Sequence, residues 1–338
     1  MDRQSLYYTF GRCGDSAVFR PSTGSENGRK ERLLPARASL KFSKNGLDGK
    51  AMSPPLEIRL LARTDLPFAD SLRARAGWNQ TPVDWERFLA LAPEGCFLAL
   101  WNGAPAGTAT TMVYGPELAW IGMVLVHPDF RRRGIGGALL RRCIAHLQSR
   151  GVRCIKLDAT PDGKPVYASL GFKAEWTLTR WERAAAPSKP AMRDPRVRTW
   201  QTSDAEAIEP FDAAAFGVSR RQLVETLAKQ SRCGLVLETE PGRVAGYGLL
   251  RDGSRALYLG PIAAMASDVA AGLVEALLER GGEEKIFWDI PDQNAAAVAW
   301  AGQHGFTAQR SLTRMYLGEN AAPGNSQKVF AIAAPEVG

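Results

Sequence analysis

Residues 123–140 decide the fold, and they read Met-Val-Leu-Val-His-Pro-Asp-Phe-Arg-Arg-Arg-Gly-Ile-Gly-Gly-Ala-Leu-Leu. An apolar strand pattern ends at His127-Pro128, a basic turn follows, and a periodic apolar helix begins at Ile135. Glycine at 134 and 136 allows a tight turn and leaves no β-carbon to hold a ligand away. The first N–H groups of the helix have no acceptor within it and lie at the positive end of its dipole. The stretch therefore predicts a phosphate-binding helix N-terminus.

The charge around this turn favours a ligand with several phosphates. Between Asp129 and Asp158 the sequence has no acidic residue, whereas it has eight basic ones: Arg131, Arg132, Arg133, Arg141, Arg142, Arg150, Arg153 and Lys156. The turn is not a P-loop, because it lacks Gly-Lys-Ser/Thr, and Leu139 stands where a dinucleotide fingerprint has its third glycine. The alternative is that the glycines only shape a loop and that the arginines are solvated.

The rest of the chain has the pattern of one unit repeated twice. From Leu56 onward, a strand, two helices, a hairpin and a third strand lead into the quoted stretch, and the same order of elements recurs from Val197 to Leu317. The closest correspondence pairs Lys156-Leu157-Asp158 and Leu170-Gly171-Phe172 with Phe287-Trp288-Asp289 and His304-Gly305-Phe306. This order predicts an α+β fold with a mixed sheet in each copy.

Composition marks the expected boundaries of the two copies. We expect them at 54–183 and 197–318, joined by a proline-rich linker at 184–196. Residues 1–52 are polar and rich in Arg, Ser and Gly, which predicts a disordered extension. Residues 319–338 are rich in Pro, Gly, Ala and Asn, and we expect them to form a flexible tail.

Charge and cysteine content exclude several classes of protein. The 338 residues carry a formal charge of +8, but ten bases against five acids in residues 1–52 supply most of it, so no nucleic-acid partner is expected. No apolar run approaches the ~20 residues of a membrane span, so no membrane partner is expected either. Five cysteines without a Cys-x-x-Cys pair, and three scattered histidines, favour reduced thiols in the cytoplasm and no metal site.

Two motifs resemble those of a known family. Arg131-x-x-Gly134-x-Gly136 resembles the acetyl-CoA-binding motif of the GNAT superfamily of N-acetyltransferases, and Tyr167-x-x-x-Gly171-Phe172 resembles its second signature. The resemblance implies two tandem GNAT-like domains, each with a mixed central sheet that is splayed at its middle and flanked by helices. It also implies that acetyl-CoA is the cosubstrate.

The same resemblance assigns contacts to acetyl-CoA. The backbone of Val124, Leu125 and Val126 would pair with the pantetheine arm. The pyrophosphate would be held by N–H groups of the turn, those of Arg132, Arg133, Gly134, Ile135, Gly136 and Gly137. Arg131 is expected to shape the turn.

The implied reaction is direct attack of a primary amine on the thioester, through a tetrahedral intermediate. Tyr167 matches the position of the family's general acid, although a tyrosine there could also pack with its hydroxyl outward. Asp158 is the candidate base, and its alternative role is to cap the turn at residues 160–163. Trp78 and Asn79 lie in a loop expected to line the pocket of a small-molecule amine, although Trp78 could equally cap the core.

The second copy differs where chemistry is expected. It keeps Asn294-Ala-Ala-Ala, a pattern that the family often uses to contact the cofactor, but residues 261–268 have neither the basic triplet nor the paired glycines, and Ala301 replaces Tyr167. We therefore expect a non-catalytic half that buttresses the first or completes its acceptor pocket. Two other functions stay open, a CoA-binding sensor without turnover and nucleic-acid binding through residues 1–52. We expect a monomer or a homodimer.

Overall fold

The computed structural model describes residues 56–185 and 194–338. The disordered extension expected at 1–52 and most of the linker expected at 184–196 lie outside these ranges.

The first half contains the elements that the sequence pattern predicts, in the predicted order. They are β1 Leu56–Leu60, α1 Leu66–Arg75, α2 Pro82–Leu91, β2 Cys96–Trp101, β3 Ala104–Val113, β4 Leu118–Val126, α3 Ile135–Ser149, β5 Cys154–Ala159, α4 Lys164–Ser169 and β6 Lys173–Arg183. Helix α3 buries one face against the sheet, as its apolar periodicity predicts, through Ile135, Leu139, Leu140, Cys143 and Leu147.

The second half repeats this order. Its elements are β7 Val197–Thr199, α5 Asp204–Phe216, α6 Arg221–Gln230, β8 Cys233–Glu240, β9 Arg243–Arg251, β10 Leu257–Ala264, α7 Ser267–Gly281, β11 Ile286–Pro291, α8 Ala295–Gln303 and β12 Thr307–Gly318. A further short strand, β13 Val329–Ala331, follows without a counterpart among the described residues of the first half.

The last strands of the two halves are exchanged. Over the described residues the strands form one sheet in the order β1-β2-β3-β4-β5-β12-β6-β11-β10-β9-β8-β7, with β13 beside β10. Strand β12 therefore lies between β5 and β6, and β6 pairs with β11 of the second half. The mixed α+β class is confirmed, but the halves share a continuous sheet instead of having one each.

Two buried ion pairs hold the exchanged strands. Arg314 on β12 donates to both carboxylate oxygens of Asp158 on β5, at 2.9 Å each. At the corresponding place Arg180 on β6 donates to both oxygens of Asp289 on β11, at 2.7 and 2.6 Å. All four side chains are almost completely buried. A charge buried in this way needs its partner, so separating either pair of strands would leave uncompensated charges in the core.

The sheet is splayed between β4 and β5. These strands are paired in parallel only from Leu118–Cys154 to Trp120–Lys156, after which β5 continues beside β12. Strands β10 and β11 likewise pair only as far as Leu259 and Trp288. In the second half β13 lies in the opening, antiparallel to β10 at Ile262 and Ala263.

The prediction of a flexible tail at 319–338 is wrong for residues 329–338. Phe330, Ile332 and Val337 are buried at 2%, 1% and 1% exposure. Trp120 Nε1 donates to the Pro335 carbonyl at 3.0 Å, and the Tyr114 hydroxyl donates to that of Val337 at 2.7 Å. The segment contains a short apolar run at 329–332, of which Val329–Ala331 form β13, and the alanines and the proline that follow fit narrow spaces that other strands leave.

Candidate active site

The turn before α3 has the geometry of an anion site. Gly134 caps the helix with φ +78°, and Arg132 is also left-handed, with φ +61°. The first helical hydrogen bond runs from Ala138 N to Gly134 O, so the N–H groups of Ile135, Gly136 and Gly137 precede it. No described atom lies within 4 Å of the place where a Cβ on Gly134 would stand. These exposed donors fit a diphosphate.

The arginines of the turn differ in their contacts. Arg131 Nε donates to the Val126 carbonyl at 3.4 Å, which ties the turn to the end of β4 and agrees with its expected shaping role. The Arg133 guanidinium lies over the rings of Trp101 and Phe130, at 5.3 and 5.7 Å from their centroids. The side chain of Arg132 is exposed. The side chains of Arg131 and Arg133 thus hold the turn in place, and neither of these contacts uses the N–H groups at the start of α3.

Strand β4 bulges where it leaves β5. Its register with β3 jumps from Thr108–Leu125 to Thr110–Gly122, and Met123 between them has φ +50°. The Thr108 hydroxyl donates to the Met123 carbonyl at 3.0 Å, which compensates for the interrupted ladder. Bulges of this kind redirect the backbone next to binding sites. The strip at 124–126, where pantetheine contacts are expected, starts directly after the bulge.

A cavity occupies the splay beside this bulge. Its volume is about 40 Å³, within about 470 Å³ of space between the lining residues that includes open solvent. First-half lining residues include Trp78, Val124, Asp158 and Tyr167. Strand β12 and the segment at 335–336 supply the rest of the wall, with Arg310, Leu312, Pro335 and Glu336. Four of the predicted site residues are therefore brought together, and the second half completes their pocket.

Tyr167 is placed at this cavity by a close turn. A Cβ on Gly163 would stand 2.8 Å from Tyr167 Cε2, so only glycine leaves room for the ring, which packs edge-on against Phe172. No described residue forms a hydrogen bond with the hydroxyl. Burial raises the pKa of the phenol to about 12, so it is protonated at neutral pH and can donate.

Asp158 lines the cavity but is already paired. Its side chain is fully buried and both oxygens accept from Arg314. Burial raises the pKa of Asp158, while Arg314 acts in the opposite direction. The alternative capping role is taken by Thr160, whose hydroxyl accepts from Gly163 N at 3.2 Å. The base role of Asp158 stays a prediction, and its ion pair favours a part in holding β5 against β12.

Family comparisons identify this arrangement. The model described as "Acetyltransferase (GNAT) family" matches residues 65–172, and that described as "Acetyltransferase (GNAT) domain" matches residues 208–331. The ribosomal protein bS18-alanine N-acetyltransferase of Escherichia coli strain K12 is 34% identical over 132 residues, 36% of this chain and 84% of that protein. The chain belongs to the GNAT acetyltransferase family.

Longer matches cover both GNAT halves. The uncharacterized N-acetyltransferase YitH of Bacillus subtilis strain 168 is 28% identical over 227 residues, 67% of this chain and 78% of that protein. A crystal structure from Pyrococcus horikoshii, of a protein provisionally assigned as an acetyltransferase, has a TM-score of 0.73 at 25% identity. That match covers 84% of this chain and 96% of the other. The predicted tandem GNAT architecture is confirmed.

The described ranges contain neither a membrane-spanning helix nor a cluster of metal ligands. None of the helices there is long and apolar enough to cross a membrane. No group of three or more His, Cys, Asp or Glu side chains in the same ranges could hold a metal ion. Cys96, Cys143, Cys154 and Cys233 are free thiols, and Cys13 lies outside the description.

Asn79 is not brought to the GNAT cavity. Its Oδ1 accepts from the backbone N–H groups of Arg255 and Ala256 at 3.0 and 3.1 Å, and its Nδ2 donates to the Ala256 carbonyl at 3.0 Å. The amide thus fastens the loop between β9 and β10. Trp78, the neighbouring residue, lines the cavity and also packs against the core, and its part in acceptor binding stays a prediction.

Sequence reasoning missed two polar residues at the cavity, Arg310 and Glu336, whereas Gln80 belongs to the loop at 77–81 that was expected to line it. Gln80 Nε2 donates to Glu336 Oε2 at 2.6 Å, and Gln80 Oε1 is buried without a described partner. Arg310 is partly buried, and its Nε has no described partner either. A usable signal existed for Glu336, because it is the only acidic residue after Glu319 and stands next to an alanine-rich apolar run.

The second GNAT half has its splay occupied. Strand β13 lies against β10 there, and Asn294 Nδ2 donates to the carbonyls of Gln327 and Val329 at 3.2 and 2.9 Å. The asparagine that the family pattern associates with the cofactor therefore holds the chain's own backbone. This occupancy agrees with the expectation that the second half is non-catalytic.

Proposed function

We propose that the first GNAT half transfers an acetyl group from acetyl-CoA to the primary amine of a small molecule. The observation that carries the proposal is the position of the cavity. It lies where β4 separates from β5, directly before the anion-binding turn, and Tyr167 is part of its wall. A ligand that spans the turn and the splay would therefore present one end to the phenol.

The residues divide the work by position. The N–H groups of residues 132–137 hold the pyrophosphate, and the backbone of residues 124–126 pairs with the pantetheine arm. Tyr167 then lies at the thioester end and gives its proton to the departing sulfur. Burial raises the pKa of the phenol to about 12, so the hydroxyl carries its proton at neutral pH and is available to donate it.

The composition of the cavity wall favours a small acceptor. Besides Tyr167, the wall includes Trp78 from the first half, Arg310 from β12 and the segment at 335–336. Since the second half contributes part of this wall, the pocket is bounded on several sides, which suits a small molecule better than a long peptide.

The proposal is tested by thiol release from acetyl-CoA with a panel of primary amines. Tyr167→Phe is expected to lower the rate about 10²-fold or more, the range for loss of an acid–base group, with little change in CoA affinity. The matched control is Tyr316→Phe, a change in a second half-buried tyrosine that does not line the cavity. If calorimetry detects CoA binding but no amine of the panel causes thiol release from acetyl-CoA, the sensor function is favoured instead.

A further inference from the structure

A carboxyl group without an ion pair lies in the wall of the acceptor pocket. Glu336 is 4% exposed and lines the cavity that also contains Tyr167. Within the described residues no Lys, Arg or His nitrogen lies within ion-pair distance of it, whereas Asp158 in the same cavity is held by Arg314. One of its oxygens, Oε2, accepts from Gln80, so the carboxyl has a fixed orientation.

The protein is shaped around this segment. A Cβ on Gly122 of β4 would stand 2.4 Å from the Glu336 carbonyl oxygen and 2.8 Å from its Cα and Cβ, so the strand approaches as only glycine permits. On either side of Glu336, the carbonyls of Pro335 and Val337 accept from Trp120 and Tyr114 of the first half. The carboxyl is therefore built into the site by β4 and its neighbours.

The surroundings of Glu336 oppose its ionisation. Burial and the nearby Asp84 raise its pKa to about 7, while Arg251 and the Gln80 hydrogen bond act in the opposite direction. The other charged and titratable groups that interact with it or line the adjoining cavities are Tyr114, Asp158, Tyr167, Arg180, Asp252, Tyr258 and Arg310. A base of this strength is suited to proton transfer near neutral pH.

We propose that Glu336 is the general base that removes a proton from the acceptor's ammonium group. The inference rests on the proposed function. Transfer of that proton to the Glu336 carboxylate frees the lone pair on nitrogen, which attacks the thioester carbon. The C–N bond forms and the C–S bond breaks, Tyr167 protonates the sulfur, and the excess proton on nitrogen returns to the tyrosinate. Glu336 later releases its proton to solvent.

The test compares Glu336→Gln with Glu319→Gln, a matched change at an exposed residue. In Glu336→Gln we expect kcat/KM for an acetylated amine to fall about 10²–10³-fold at pH 7, with CoA affinity by calorimetry within twofold of wild type. The limb of the wild-type pH–rate profile with a midpoint near 7 should be absent from the profile of the variant. The difference in kcat/KM between the variant and wild type should shrink as the pH rises, because more of the amine is then unprotonated. Glu319→Gln should match wild type throughout.

The outcomes separate the two proposals. An active wild type together with a Glu336→Gln rate within threefold of it, or with an unchanged pH profile, overturns the base role alone. A wild type that binds CoA but releases no thiol with any amine overturns the proposed function, and the base role with it. Loss of CoA affinity in Glu336→Gln would show that the glutamate supports the cosubstrate site, and it also counts against the base role.

An independent observation concerns the chemistry of the acceptor. Arg310 reaches the cavity from β12, and within the described ranges it has no hydrogen bond or ion pair. Burial lowers its pKa to about 10, which still leaves the guanidinium charged at neutral pH. Arg310 interacts with Asp289 and Glu336 only at longer range, and a partly desolvated cation without a close counter-ion favours a ligand that supplies an anion. We infer that the acceptor is an amine that also carries a carboxylate.

Pairs of α-amino acids and their α-carboxamides test this inference, because members of a pair share the side chain and differ in the anion. The carboxamide also has the lower amine pKa, so rates are compared per unprotonated amine. Wild type should prefer the carboxylate by at least about tenfold in kcat/KM. Arg310→Gln should remove that preference and leave CoA affinity unchanged, while Arg243→Gln, at an exposed position on β9, should keep it. Equal rates in wild type, a preference for the amide, or transfer only to amines outside these pairs would overturn the inference.

Discussion

Replacing Glu336 by glutamine should make the protein more stable above pH 7 and change little below about pH 4.5. The folded-state pKa of Glu336 is about 7 against an ordinary value of 4.5. Between these values the folded protein keeps a proton that the unfolded chain has lost, so wild-type stability falls as pH rises through this window. At about 1.4 kcal/mol per pH unit, the loss amounts to roughly 3 kcal/mol. Glutamine resembles the protonated carboxyl, so the variant does not lose this stability as the pH rises.

Urea unfolding of both proteins at intervals from pH 4.5 to 8.5 measures this difference. Groups common to the two proteins cancel in the comparison, so the free energy of unfolding of the variant minus that of wild type should rise across the window and level off above pH 7. A difference that is flat with pH, or that falls, would refute the description of Glu336 as a buried, unpaired carboxyl. A variant that is more stable yet inactive would mark the carboxyl as a functional group kept at a cost.

Three further substitutions test other parts of the structure. Gly122→Ala should displace the segment around Glu336. We expect the free energy of unfolding to fall by about 1–3 kcal/mol, with a lower melting temperature. Thiol release should fall more than CoA affinity. Asp289→Asn should leave Arg180 buried without its counter-charge and cost about 3–5 kcal/mol in urea unfolding; a cost below 1 kcal/mol would contradict the buried pair. Gly136→Ala, whose Cβ would be 3.6 Å from Val126, should keep its melting temperature but weaken CoA binding in calorimetry about tenfold, whereas Gly302→Ala on α8 should change neither.

The local features of the first half could be predicted because each depends on residues that are contiguous in the sequence. The β4–turn–α3 unit requires an apolar strand, glycines with open φ, and a periodic helix, and all of them lie within residues 118–149. The repeat was visible for a similar reason, since Asp158 and Asp289 follow matching strand patterns.

The exchange of β6 and β12 could not be predicted in the same way. Each strand alternates in a manner that suits either neighbour, and the choice depends on pairings between residues more than 100 positions apart, such as Arg314 with Asp158. The position of Glu336 at the cavity was missed for a related reason, although the apolar run beside it was a usable signal. Its carboxyl reaches the cavity through a segment whose composition resembles a loose tail, and only the spaces left by β4 and β10 give that segment a fixed conformation.

Because the last strands are exchanged, a fragment that contains one half alone would lack a strand of its own part of the sheet. A fragment ending near residue 183 would keep the turn and Tyr167 but lose β12, and with it the counter-ion of Asp158 and the wall that carries Arg310. Strand β5 would then expose an unsatisfied backbone edge, open to pairing with a second fragment. We therefore expect that neither half folds correctly without the other, and that chimaeras between relatives should exchange both halves together.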